Sequence, residues 1–320
     1  MTHGKAEKEC VRGLLAIVLI WEQTRSAIKF MALFKYLPPD RVDVVESLRI
    51  RFTPANEFND PFECLSDARL IEHAGWQKRV EDRCVTEMLR EGPSPGIDPA
   101  LWTESELRQI HRERYALRLP MLKQLASVTL CAARAPLRIL CLSQVAPDAP
   151  DAFLLWGHYT CGHSGLVIEL DAESAWVKSH KESPGSPKAC GPVDYANDRP
   201  SWLIDAYGNA EPRPEFIFTK STHWRYEQEY RLVRVVAAPT ATGSVDVLVP
   251  FPPDSLRSVT LGVNASRLLK QKVTRACKRR ELQHVQIKQA QIHPDQYALT
   301  VTEYKEAEEQ LLRSTCQNIK

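Results

Sequence analysis

The sequence predicts an α+β fold: a mixed, mainly antiparallel central sheet with an inserted helical segment. Three observations predict it. Short apolar runs bounded by Pro and Gly recur along the chain, among them ILCLS (139–143), LVIEL (166–170) and SVTLGV (258–263), and runs of that length and punctuation read as strands. Residues 66–128 instead place apolar positions at helical spacing. No internal repeat of fixed period is present, so helices and strands belong to one core sheet rather than to an array.

The elements follow in order. Residues 13–21 (GLLAIVLIW) form an apolar run behind Lys5, Lys8 and Arg12. The run is too short to cross a bilayer, and no small-x-small cleavage site follows it closely. Residues 1–30 therefore read as an extension or an upstream mis-start, with Met31 opening MALFKYL. Phe34–Tyr36 is a short strand stopped by Pro38 and Pro39, and Asp40 is placed to cap a helix through Glu46. Leu48–Pro54 alternates, with Arg49 and Arg51 on one face and Leu48, Ile50 and Phe52 on the other. Asn59-Asp60-Pro61 is a turn signal pinned by Phe58 and Phe62. It leaves Asp60 and Glu63 beside Arg51. Within the insertion, QKRVEDRCVTEMLREG (77–92) is a helix stopped at Gly92-Pro93. Thr103 and Glu106 make a capping box for a second helix reaching Pro120.

The stretch 139–171 carries the densest chemistry. Two apolar strands enclose a Pro/Asp turn and a short helix, and Trp156, His158, Tyr159 and His163 fall within eight positions. Polar aromatic groups that close together between strands point to a cleft. A short strand covers Val193–Tyr195. A longer one covers Glu229–Val236, with Glu229, Arg231 and Val233 on one face and Tyr230, Leu232 and Arg234 on the other. SVTLGV, a helix capped by Asn264 or Ser266, HVQIKQAQI (284–292) and ALTVTEY (298–304) complete one α+β domain over residues 31–303, and residues 304–320 are expected to form a helical tail.

Composition excludes several classes. The chain has 320 residues, 26% of them charged, with a net charge of +2. That argues against disorder and supplies no global attraction to nucleic acid. The nine cysteines are scattered without a CxxC pair, as expected of reduced thiols in a cytoplasmic protein. There is no phosphate loop, GxGxxG, HExxH or GxSxG motif. His158 and His163 with Asp151 or Asp171 make a weak metal set without a cysteine pair, so no metal is expected. Cys161, between the two histidines, is a candidate nucleophile.

The succession FKY, RFTPANEFNDPFEC, CLS…FLLWGHYTCGHSGLVIEL and HWRYEQEYRLV over residues 33–236 resembles the bacterial family known as domain of unknown function 2971. FNDPFE, LLWGHY and YEQEYR carry the resemblance. Tyr230 departs from the tryptophan common at its position. More distantly, a strand, short helix and strand at residues 34–54 with a late acidic strand is similar to ADP-ribosyltransferases. That similarity implies a split sheet with NAD+ in its cleft as substrate. Lys35 and Tyr36 on the first strand would hold the nucleotide, and Trp156, His158 and Tyr159 would wall the pocket. Arg51 would meet the pyrophosphate, a match for a planar bidentate donor. Asn59, Asp60, Ser143, His163 and Arg231 complete the implied binding set. Glu229, with Glu227 second and His158 beside them, would carry the chemistry, because a fixed carboxylate stabilises the oxocarbenium-like cation formed at the ribose.

The implied activity is an NAD-dependent ADP-ribosyltransferase or NAD glycohydrolase in a toxin or phage-defence role. Two other readings stay open: a metal-dependent nuclease or hydrolase using Asp60, Glu63 and the histidines, and a non-catalytic module sensing a small ligand. Each residue also has a structural reading. Glu229 with Arg231 is an ion pair on the sheet, Arg51 neutralises Asp60 or Glu63, Trp156 is core, and Asn59 and Asp60 only make a turn.

Overall fold

The computed structural model describes residues 32–65, 74–180, 188–201, 203–204, 210–211, 215–236 and 247–305. The extension at 1–30 and residues 306–320 of the expected tail lie outside the described residues. The first strands are β1 (Ala32–Leu37), β2 (Arg49–Arg51), β3 (Thr53–Pro54), β4 (Leu137–Ser143), β5 (Leu166–Asp171), β6 (Lys188–Pro192) and β7 (Asp194–Ala196). They are followed by β8 (Leu203–Ile204), β9 (Ala210–Glu211), β10 (Thr219–Ser221), β11 (Glu229–Val235), β12 (Leu248–Pro250), β13 (Leu256–Leu261), β14 (Gln286–Ile292) and β15 (Leu299–Glu303). The helices are α1 (Asp43–Ser47), α2 (Ala74–Glu91), α3 (Glu104–Arg134), α4 (Ala152–Tyr159), α5 (Ala175–Lys178), α6 (Glu215–Phe218) and α7 (Arg267–Cys277).

One sheet organises the α+β fold. Its described strands run β15-β14-β13-β5-β1-β4-β11-β6, with β3 also on β4. Every pairing within it is antiparallel except β13 with β14. Alternation along the strands sends side chains to two faces. Leu140, Leu142 and Leu232 join α1 and α7 in one core, and Ile139, Leu137 and Val233 join α6 in a second. Phe34, Tyr36, Val167 and Trp156 of α4 form a third cluster beside it.

The join between β1 and β4 differs from its neighbours. β1 pairs with β5 along its whole length, Ala32 with Asp171 through Leu37 with Leu166, and β4 pairs with β11 from Leu137 with Val235 to Ser143 with Glu229. Between β1 and β4 the described register holds the single pair Phe34 with Ser143. The sheet therefore opens there. The carbonyl of Cys141 takes a hydrogen bond from Lys35 Nζ at 2.7 Å in place of a ladder partner.

Several boundaries differ from expectation. The alternating stretch 48–54 is two strands, not one. β2 pairs with β12 in a two-stranded ribbon while β3 joins the main sheet, although the predicted faces hold: Ile50 and Phe52 are buried and Arg49 and Arg51 exposed. Asp40 lies inside a short 3-10 turn and does not cap α1. The second inserted helix continues through Pro120 to Arg134. Pro120 is exposed, so water can meet the carbonyl that a proline leaves unbonded. Val193 lies between β6 and β7 rather than in a strand.

Local capping follows the expected chemistry. Thr103 and Glu106 bond reciprocally at the start of α3, and Ser266 accepts from Leu269 N at 3.2 Å at the start of α7. α7 buries Leu269, Val273, Ala276 and Cys277 against the sheet. Ser266→Ala is expected to cost about 1 kcal/mol and to lower the melting temperature by about 2 °C in a thermal melt.

Candidate functional site

The opening between β1 and β4 holds a cavity of about 260 Å³. β1 contributes Phe34, Lys35 and Tyr36, and β4 contributes Cys141, Leu142 and Ser143. The turn after β3 adds Glu57, Phe58, Asn59 and Glu63, α4 adds Leu155 and Tyr159, and the far wall is Lys220, Glu227 and Glu229. A wider cavity of about 470 Å³ lies between α2 and α3 around His111 and Arg114. None of the candidate residues lines that one, whereas seven of them line the smaller cavity.

The wall is a buried ionic cluster. Lys220 Nζ lies 2.6 Å from Glu227, 3.1 Å from Glu229 and 3.3 Å from Glu63. Arg231 is completely buried; its Nε meets Glu229 at 2.7 Å, its Nη2 meets Glu63, and its Nη1 donates to the carbonyl of Ile217. A fixed guanidinium fork with three acceptors is one of the few ways to bury such a charge without leaving it unpaired. Lys220 also lies over the Trp224 ring, 4.9 Å from its centroid.

Backbone geometry aims the two glutamates. Glu227 ends a 3-10 turn, Thr222–Glu227, and Glu229 begins β11. Gln228 between them is left-handed, with φ +42°, a conformation uncommon without glycine. This kink lets residues of two different elements face one cavity. Ser143 Oγ donates to the Glu227 carbonyl at 2.6 Å, and the Glu229 amide donates to Tyr195 Oη at 2.8 Å. Tyr159 Oη donates to the Glu227 carboxylate.

The electrostatics separate the carboxylates. Burial opposes ionisation of Glu229 most strongly, yet Arg231 and then Lys220 hold its carboxyl well below the usual range. Burial dominates at Glu63 and raises its carboxyl despite Arg231, with Glu229 adding to the rise. Burial opposes the charge of Lys220, but Glu229, Glu63 and Glu227 outweigh it and keep the ammonium protonated beyond the ordinary lysine range. Burial and then Glu227 raise the Tyr159 phenol, so it remains a donor.

The candidates divide cleanly. Lys35, Tyr36, Asn59, Ser143, Tyr159, Glu227 and Glu229 line the cavity. Arg51, Asp60, Trp156, His158, His163 and Arg231 do not. Arg51 stands exposed on β2 and pairs with Glu57, not with Asp60 or Glu63. Asp60 accepts from the Phe62 amide at 2.8 Å in its turn and borders a neighbouring cavity of about 280 Å³. Trp156 is fully buried, donates Nε1 to the Pro147 carbonyl at 2.9 Å, and backs Tyr36 edge-on at 5.5 Å. His163 stacks on Trp156 at 6.2 Å, and burial lowers its pKa. His158 is exposed and meets Tyr226 Oη at 2.9 Å. Arg231 lies behind Glu229 as its anchor. The expected meeting of Arg51, His158 and Glu229 in one cavity is therefore replaced by a meeting of Glu227, Glu229 and Lys220.

Lys220 is the member that sequence reasoning missed. It lies in FIFTKSTHW, where nothing in periodicity or motif marks a lysine as buried. Glu63 carried a weak signal as the acid after Asn59-Asp60-Pro61. Among the described residues, no group of three or more His, Cys, Asp or Glu is arranged to hold a metal ion, and no helix is long and apolar enough to cross a membrane. Lys220 occupies the place between the carboxylates that a cation would take.

No curated protein and no solved structure matches the chain. Residues 155–232, which contain Tyr159, Lys220, Glu227, Glu229 and Arg231 of this site, match the model of the family described as Protein of unknown function (DUF2971).

Proposed function

We propose that the cavity between β1 and β4 cleaves the N-glycosidic bond of a nicotinamide riboside unit, with NAD+ as substrate, as an NAD glycohydrolase or ADP-ribosyltransferase. The supporting observation is the pair Glu227 and Glu229, held by Lys220 and Arg231 at a sheet opening walled by Phe34, Tyr36, Phe58 and Tyr159. In the reaction the nicotinamide nitrogen takes both electrons of the bond and leaves as a neutral ring. The ribose becomes an oxocarbenium-like cation, which a preorganised carboxylate stabilises. Water or an acceptor nucleophile then adds to that carbon and releases a proton.

Glu227 is the better placed of the two for this role. Glu229 engages Arg231 through both oxygens and Lys220 as well. Glu227 has one cation, Lys220, and the neutral Tyr159 hydroxyl. Glu229 is then the positioning residue that fixes Lys220, and Lys220 in turn fixes Glu227. The aromatic side chains give the nicotinamide ring a surface to stack on. An effector of this kind, in a toxin or phage-defence role, would act by consuming the NAD+ of the cell.

Incubation with NAD+ followed by mass spectrometry tests the reading, and free nicotinamide is the expected product. Intact NAD+ after prolonged incubation with folded protein would sink it. A specific observation favours a second reading: Lys220 bonds all three carboxylates, as a purely structural network does. In that case a small ligand binds without turnover, and NAD+ raises the melting temperature while remaining intact.

A further inference from the structure

Resting on that reading, we infer that the cavity is shaped for a pyridinium riboside 5′-monophosphate, so that NAD+ enters only by its nicotinamide mononucleotide half. Size is the first argument. The cavity measures about 260 Å³, below the roughly 300–1,000 Å³ of pockets that bury drug-sized ligands. On that scale it suits half of a dinucleotide better than the whole.

Charge is the second argument. At one wall Glu63, Glu227 and Glu229 surround Lys220. On β1 stands Lys35, whose ammonium bonds the Cys141 carbonyl at 2.7 Å and pairs with no carboxylate among the described residues. The cavity therefore holds a cluster of carboxylates around Lys220 and, on β1, an ammonium that is not part of that cluster. A zwitterion fits that pattern, with its pyridinium against the glutamates and aromatic rings and its phosphate on Lys35.

The third argument concerns the kind of cation. A pyrophosphate is best held by a guanidinium fork, whereas a lone ammonium acts as a point charge suited to one phosphate. Among the described residues, the two guanidinium groups that pair with lining carboxylates are both committed and do not line the cavity themselves: Arg51 to Glu57, and Arg231 to Glu63 and Glu229. Among the lining residues there is no arginine, and the uncharged polar side chains Thr53, Asn59 and Ser143 offer no second cation for a second phosphate.

Nicotinamide riboside, nicotinamide mononucleotide and NAD+ are compared as probes, with nicotinamide release and thermal stabilisation measured in parallel. The mononucleotide is expected to surpass the riboside by about tenfold, the scale of one charge-assisted hydrogen bond. NAD+ is expected to fall within about threefold of the mononucleotide. Lys35→Met should shrink the mononucleotide's advantage over the riboside to less than about threefold, and Lys35→Arg should restore most of it. NAD+ surpassing the mononucleotide tenfold would overturn this inference and leave N-glycoside cleavage standing. Stabilisation in the expected order without nicotinamide release would support the ligand class and remove the catalytic reading. Stabilisation by none of the three probes would overturn both.

Discussion

Arg231→Ala is expected to lower the unfolding free energy by about 3–5 kcal/mol, the usual cost of breaking a buried ion pair from one side. The variant removes the cation that faces both Glu63 and Glu229 and leaves their carboxylates buried with Lys220 alone. It also orphans the Ile217 carbonyl and empties a fully buried volume. Arg231→Lys keeps the charge but cannot form the fork to two carboxylates and a carbonyl together, so it should recover only part of the loss. Urea unfolding followed by circular dichroism measures both, and a midpoint for Arg231→Ala close to wild type would remove the cluster from any account of stability.

The same cluster sets an acid dependence with a definite sign. The folded-state pKa of Glu229 is depressed. Its contribution is thus present above its unfolded value of about 4.3 and is lost as pH falls through the folded value. Glu63 acts oppositely. Its folded pKa is raised, so its contribution is complete below the unfolded value and is lost as pH rises through the folded one. The urea midpoint of Glu229→Gln should therefore vary less between about pH 5 and pH 3 than that of wild type.

Glu227→Gln is expected to lower nicotinamide release about 10²- to 10³-fold while the protein stays folded. Glutamine keeps the shape of the side chain and still accepts from Lys220, and Lys220 retains Glu63 and Glu229 as counter-charges. What is lost is the charge facing the ribosyl cation. Tyr159→Phe should have a smaller effect, because it removes only the hydroxyl that orients that carboxylate. Glu229→Gln should lower activity and stability together, since it disturbs the positions of both Arg231 and Lys220. If Glu227→Gln matched wild type while Glu229→Gln alone were inactive and fully stable, the roles given to the two residues would be reversed.

Much of this architecture was legible in the residue order. β4 and β5 are short apolar runs with clear punctuation, and β11 is a two-faced strand that begins at Glu229 as the pattern implies. Ser266 and the Thr103–Glu106 pair are caps that depend on residues three positions apart. The division of 48–54 into two strands was hidden, because alternation reports which side chains are buried and not which strand the backbone pairs with. The passage of α3 through Pro120 was hidden for a related reason: whether a missing hydrogen bond is tolerated depends on what surrounds it.

The candidate site divides along the same line. Short-range pattern, by itself, determined the strands, the caps, the acidic pair at 227 and 229 and the aromatic density at 156–159, since each depends on neighbours a few positions away. Tertiary structure alone decided that β1 and β4 part after one pair, that Lys220 lies among three carboxylates, that Arg231 is an anchor and that Arg51 and His158 face elsewhere. The physical reason is that a buried charge is tolerated only where opposite charges from distant segments meet it, and that meeting is a property of the folded sheet and of no local stretch.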